Sequence, residues 1–312
     1  MTPPKQIAQP WRIGSFSALH DGAVSESAAS DHDALETPAS VEDATRSRVA
    51  TASAPDVADD DILRFPRGIG AGDCLHAVLE RVDFRDPGTW DDAITRALRR
   101  HPVSLPGVAA SAAPSVLRRM IARMIGDVVR TELRDGIRLD AIGCERRVAE
   151  LGFDLPVRRL DAAALNAALK ALGYAVDRLT FARLTGYLKG FIDLVFEHRG
   201  RYYVVDWKSN HLGDSPAHYA GPALALPMAQ HGYHLQALLY SVALTRYLAH
   251  RVRDYRHDLH FGGVLYLFVR GVRPGWRSAD GEPAGVHFDR PDASALARVE
   301  RLLDAVTKEP SR

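Results

Sequence analysis

Only two cysteines, Cys74 and Cys144, occur among the 312 residues. Two thiols cannot build a disulfide framework, and they fall short of the four that an iron–sulfur cluster or a Cys-only zinc site requires. A reducing, cytoplasmic setting fits. No run of 18 apolar residues is present, and the start, Met1-Thr-Pro-Pro-Lys-Gln, lacks the apolar core of a signal peptide. A soluble, non-exported protein with no membrane association is therefore expected. The chain also lacks a Gly-x4-Gly-Lys-Ser/Thr phosphate loop and any visible repeat, which excludes a nucleotide-driven motor of that type within it. Lysine is scarce: of 40 basic residues only Lys5, Lys170, Lys189, Lys208 and Lys308 are lysines. A lysine among carboxylates stands out against that background.

What is present suffices for a globular protein, since 46% of residues are hydrophobic. The net charge of +1 conceals an asymmetry. Residues 1–64 hold 5 Lys/Arg against 11 Asp/Glu, so residues 65–312 hold 35 against 28. A surplus of positive charge in the folded part is compatible with a polyanionic partner. Residues 20–61, rich in Ala, Ser, Thr and Asp, have few large side chains to offset the entropy of ordering them. Residues 1–61 thus read as a mobile N-terminal tail or linker and 62–312 as the domain. The apolar piece Trp11 to Leu19 could dock on that domain as an isolated strand and turn.

Periodicity predicts a first helix from Asp73 with the stripe Leu75, Val78, Leu79, Val82, and further helices over 89–100, 114–134 and 161–173. Arg146 to Val157 reads as a strand ending at Pro156. Two β-rich runs, Leu188 to Phe196 and Tyr202 to Trp207, flank His198-Arg199-Gly200-Arg201 and predict a hairpin. A long helix from about Tyr233 to Leu248 and a strand from Val264 to Val269 follow.

The hairpin carries the chemistry. A two-residue loop at Arg199-Gly200 sets His198 opposite Arg201, which places Asp193 opposite Asp206. Lys208, two residues beyond Asp206, projects from the same face. The remainder of the hairpin, Phe191, Val195 and Val204 on one side and Ile192, Leu194, Phe196, Tyr203 and Val205 on the other, looks like a sheet interior. Opposed carboxylates in such surroundings repel unless a proton or cation compensates them, and a divalent ion such as Mg²⁺ is the natural compensator. With the lysine beside it, the constellation points to phosphodiester hydrolysis. The plain alternative is an Asp206–Lys208 ion pair at a strand end, with Asp193 capping a turn.

The run Gly186-Tyr-Leu-Lys-Gly-Phe-Ile-Asp193, continuing to Asp206-Trp-Lys208-Ser-Asn-His-Leu-Gly213, closely resembles the nuclease domain of the RecB family, the beta subunit of exonuclease V. That domain is a PD-(D/E)xK nuclease. The resemblance extends from about Phe65 to Pro291 and includes Phe65-Pro-Arg-Gly, Gln236-Ala-Leu-Leu-Tyr240 and Phe261-Gly-Gly-Val-Leu-Tyr-Leu-Phe-Val-Arg-Gly271. It implies a restriction-endonuclease-like α/β fold, a mixed central sheet flanked by helices with additional N-terminal helices. It makes Asp193 and Asp206 the metal carboxylates, Lys208 the catalytic lysine, His76 a metal-shell residue and Trp207 a donor through its backbone carbonyl. From the residues alone, His76 would be read as a satisfied core or surface histidine. For Gln236 and Tyr240 a helix-packing hydrogen bond and a positioning role near the lysine both stay open. Glu150 is a minor candidate, either a supporting group or strand-end charge.

The resemblance further implies hydrolysis of single-stranded DNA with Mg²⁺ in double-strand-break repair, and RecC, RecD and a RecA-like recombinase as partners if the rest of RecB accompanies this chain. The helicase that precedes such a domain in RecB is not in the sequence, which reads either as an isolated fragment with its linker or as a stand-alone relative. A catalytically silent DNA- or recombinase-binding module and a phosphohydrolase for small substrates are the competing readings.

Overall fold

The computed structural model describes residues 57–174, 179–181 and 183–304, together with the backbone of 12–14. The expected mobile tail lies outside the described residues except for Arg12–Gly14 and residues 57–61. Arg12–Gly14 forms β1 and docks as a parallel strand, Arg12 against Gly186 and Gly14 against Leu188, as its apolar character suggested.

Helices α1 (Ile69–Leu79), α2 (Trp90–Arg100) and α3 (Ala113–Arg130) come first. Then follow β2 (Arg147–Leu160), α4 (Ala162–Ala171), β3 (Leu184–His198) and β4 (Arg201–Lys208). Helices α5 (Gly221–Gln230) and α6 (Tyr233–Arg251), the single turn α7 (His257–His260), β5 (Phe261–Phe268), β6 (Val286–Asp289) and α8 (Ala293–Leu303) complete the order. The strands form one six-stranded mixed sheet in the order β1-β3-β4-β5-β6, with β2 pairing β3. Parallel pairing of β4 with β5 needs a crossover, and α5 and α6 supply it.

Several boundaries move for identifiable reasons. Helix α1 begins at Ile69 after Gly68, whose φ of +95° suits the chain reversal, so Asp73 lies inside the helix rather than capping it. Strand β2 runs through Pro156, which pairs with Tyr187; a proline is tolerated where no ladder amide is demanded of it. Helices α5 and α8 and strand β6 were not foreseen. Pro222 and Pro227 argue against a helix at α5, yet Leu224 and Met228 are fully buried, so tertiary packing overrides propensity there.

The sheet centre is covered on both sides. Helices α1–α3 pack Leu75, Val78, Ile121 and Ile125 against Val205, Trp207, Leu265 and Leu267. Helices α5, α6 and α8 pack Leu224, Leu235, Leu238 and Val299 against Val204, Val264 and Phe268. Double coverage explains why all eight residues of β5 are buried and read as a continuous apolar run.

One polar clamp joins the segment before α1 to the stretch after β5, beside the β3–β4 hairpin. Arg270, 1% exposed, donates from Nε to the Ser209 carbonyl at 2.6 Å. Its Nη1 donates to the carbonyls of Ile62 and Phe65, and its Nη2 to that of Pro66. Arg273 adds a two-pronged bond to Asp61, both contacts at 2.6 Å. Burial would raise the Asp61 carboxyl, but hydrogen bonds from Arg273 and the Leu63 amide outweigh it and hold the pKa below the ordinary value. Arg270→Leu leaves these carbonyls buried without their donor and should lower the unfolding free energy by about 3 kcal/mol or more, read by urea denaturation; a change under about 1 kcal/mol would contradict the clamp.

Candidate active site

The hairpin register is the one that a type I′ turn dictates. Arg199 and Gly200 have φ of +52° and +77°, and five rungs run from His198–Arg201 to Leu194–Val205. Asp193 and Asp206 are the next step of that register, where β3 and β4 part. In place of a further carbonyl, the Asp193 carboxylate closes the gap, Oδ2 accepting from the Trp207 amide at 2.7 Å. Beyond this point β3 continues with β2 as a ribbon, which β1 joins on the other edge of β3 at Gly186–Leu188. Alternation is lost across the twist, since Ile192 joins the same core as Val195 while Leu194 joins the opposite one. Phe191, expected in the sheet interior, is 46% exposed as a result.

A third carboxylate lies on the other side of Asp193. The pairs Ala149–Leu194 and Leu151–Ile192 set Glu150 opposite Asp193 in the register of β2. Glu150 has a φ of +52°, a costly conformation for this residue type outside glycine. Burial, followed by the charges of Glu80 and Asp206, pushes its carboxyl up to about 7. Glu150, Asp193 and Asp206 thus occupy neighbouring positions on three adjacent strands, and the residue treated as minor on sequence grounds belongs to the cluster.

Helix α1 adds an imidazole from above. Gly72 lets the helix come down on the end of β4, because a Cβ there would lie 2.9 Å from Ser209 Oγ. His76 and Glu80 follow at intervals of four and share that helix face. His76 Nδ1 lies 3.7 Å from Asp193 Oδ2, and the histidine side chain is 7% exposed. The Gly72, His76, Glu80 spacing was visible in the sequence, yet only the approach to Ser209 reveals which way it faces.

Lys208 is buried with the acids, its Nζ 2.8 Å from Asp206 Oδ2. The ammonium lies 3.8 Å from the Tyr233 ring centroid and 5.7 Å from that of Tyr266, so two aromatic faces share its charge. Tyr266 pairs with Asp206 in the parallel β4–β5 ladder, and its hydroxyl donates to Gln236 Oε1 and to the Tyr233 carbonyl. Gln236 Nε2 donates in turn to Tyr240 Oη at 3.0 Å. Gln236 and Tyr240 are therefore joined to the lysine through the tyrosine beside it. Tyr233 and Tyr266 escaped sequence reasoning; Tyr266 reaches the lysine through the β4–β5 register and Tyr233 through the packing of α6, which no local pattern encodes.

The strand-end ion pair expected as the plain alternative does exist, but in company. Among the described residues no three His, Cys, Asp or Glu side chains converge as a ready cation cage. Asp206 is drawn to Lys208 and Asp193 to the Trp207 amide, so both aspartates face protein groups and not a common point. The donor set of three carboxylates and one imidazole nonetheless fits a hard divalent cation rather than a soft one. Trp207 buries its indole on the α1–α3 side, edge-on to Phe84.

A model of the PD-(D/E)XK nuclease superfamily matches residues 59–310. The chain is similar to the RecBCD enzyme subunit RecB of Escherichia coli K12, with 35% identity over 251 residues, which is 79% of this chain and 20% of that protein. RecB of Haemophilus influenzae is 32% identical over 95% of this chain and 24% of its own length, and RecB of Mycobacterium tuberculosis H37Rv is 33% identical over 96% and 29%. The chain thus spans a fifth to three tenths of these relatives' lengths. With its mixed sheet, its paired aspartates and the lysine two residues on, it belongs to the PD-(D/E)XK nuclease superfamily.

Proposed function

We propose that this chain is a Mg²⁺-dependent deoxyribonuclease acting on single-stranded DNA, the nuclease part of a RecBCD-type exodeoxyribonuclease. The observation that carries this reading is the row Glu150, Asp193, Asp206 with the Lys208 ammonium buried beside it. Structure alone gives little reason to gather such charges, because each must be taken from water. Similarity to RecB subunits supports the complex, with RecC, RecD and a RecA-like recombinase as its partners.

Asp193, Asp206, Glu150 and His76 would hold the cation, together with the Trp207 carbonyl. When bound, the ion polarises a phosphate oxygen and acidifies a water molecule. Lys208 then has two tasks. Its charge offsets that growing on the phosphorus oxygens, and its fixed position orients the attacking water. Tyr233, Tyr266 and Gln236 keep the ammonium there, and Tyr240 buttresses Gln236. A silent binding module has no use for this arrangement, which would be free to decay.

Labelled single-stranded and duplex oligonucleotides incubated with the chain should be cut in Mg²⁺ and not in EDTA, single strands faster; absence of Mg²⁺-dependent cutting defeats the proposal. Asp193→Asn and Lys208→Gln should each slow cutting by at least about 10²-fold with circular dichroism unchanged. Asp206 is a different case. The sequence suggests that removing one of two repelling acids is harmless, but Asp206 supports the buried Lys208, so Asp206→Ala should also cost about 3–5 kcal/mol of stability.

Glu150 yields a prediction about pH. Its folded value of about 7 exceeds the ordinary 4.5, so between these values the folded state keeps a proton that the unfolded chain has released. The associated stability is present below about pH 4.5 and lost as pH rises through 7. In EDTA, wild type should therefore lose stability relative to Glu150→Gln between pH 5 and 8, by an amount on the order of 2 kcal/mol. Parallel pH profiles of the two proteins would contradict this.

A further inference from the structure

Outward of Asp193 the β2–β3 ribbon has one buried face and one bare face. Leu155, Val157, Leu188 and Ile192 enter the core on the buried side. Alternation puts Tyr187, Lys189 and Phe191 on the other, and Asp193 follows two residues on, where the ribbon meets the sheet. Tyr187 and Phe191 are 43% and 46% exposed. Exposed aromatics on a strand ordinarily lean on a cross-strand side chain. On the β2 side the facing residues are Pro156 for Tyr187 and Gly152 for Phe191, and Ile13 of β1 pairs with Tyr187 from the other side. The Phe191 ring lies against the bare Gly152 backbone, where a Cβ would come within 3.3 Å of its edge. The buried face shows the reciprocal arrangement, with the Phe153 ring filling the space above Gly190 and meeting Tyr240 edge-on. Between the two exposed rings, Lys189 meets Asp154 at 3.3 Å, with both side chains more than a third exposed. Such a surface pair is weak and readily exchanged for another anion.

The stripe therefore reads aromatic, cation, aromatic, carboxylate, over roughly 20 Å of strand. From this we infer that the outer face of the ribbon is a base-stacking track for a single-stranded polynucleotide. Tyr187 and Phe191 receive base faces, Lys189 receives a backbone phosphate between them, and the strand is led to the carboxylates that begin two residues beyond Phe191. The inference rests on the nuclease reading and adds where its substrate lies. Continuity with the acidic cluster and the lysine set between the rings favour a polynucleotide over a protein partner, for which an unbroken apolar face would serve better. Stacking on aromatic rings is tolerant of sequence because every base has a π-face.

The test uses the 312-residue chain in EDTA, so that binding is read without cutting. Tyr187→Ala and Phe191→Ala should each weaken binding of a fluorescein-labelled oligo(dT) by about tenfold, while an abasic oligonucleotide of equal length binds all variants alike. Tyr187→Phe should retain affinity, and the fluorescence of the Phe191→Trp variant should be quenched by oligo(dT). Unchanged oligo(dT) affinity in the double alanine variant, an equal loss toward the abasic strand, or an unquenched indole would each overturn the track, the last leaving the face to a protein. Normal Mg²⁺-dependent cutting alongside such a result removes the track alone. Quenching without any cutting would preserve the track and remove the nuclease reading.

Discussion

The ion pair between Lys208 and Asp206 is buried almost completely, at 2% and 3% side-chain exposure. Taking both groups out of water costs more than a single contact between them returns, so the surroundings must contribute. Much of the central architecture does so. The rings of Tyr233 and Tyr266 face the ammonium, and Gln236 fixes Tyr266 by accepting from its hydroxyl. Asp193, one register step across, accepts the Trp207 amide that the parting strands leave without a carbonyl. Glu150 responds to the same crowding in another way, its carboxyl raised to about 7 by burial and by the charges of Glu80 and Asp206.

The two helical layers do different work on this cluster. Helix α1 approaches from one side, permitted by Gly72, and delivers His76 to Asp193. Helix α6 approaches from the other and delivers Tyr233, Gln236 and Tyr240. Arg270 secures the seam by binding the carbonyl of Ser209, directly after Lys208, to the segment that precedes α1. Strand β4 is thus held from three directions, which fixes the alignment of Asp206 and Lys208.

Much of this was legible from local pattern. The Arg199-Gly200 turn sets the pairing of β3 with β4, so the relation of Asp193 to Asp206 could be obtained by counting alone. The helix stripe at Leu75, Val78 and Leu79 was equally plain, because apolar spacing reports the buried face directly. Less was visible where long-range packing decides. Helix α5 forms despite two prolines, since Leu224 and Met228 find places in the core. Phe191 looks like a core residue by composition and ends on the surface, because the ribbon twists away from the sheet at Asp193.

Local chemistry was therefore enough to establish the hairpin, the acid pair, the lysine beside it and the α/β character of the chain, since each depends on residues close in sequence or on simple alternation. The place of Glu150 beside Asp193, the aromatic support of Lys208 and the orientation of His76 emerged only in three dimensions. Glu150 reaches Asp193 through the β2–β3 register, Tyr266 reaches Lys208 through the β4–β5 ladder, and His76 is aimed by the fit of Gly72 against Ser209. Each of these contacts joins segments separated by tens of residues, and only the packing of whole elements brings such segments together.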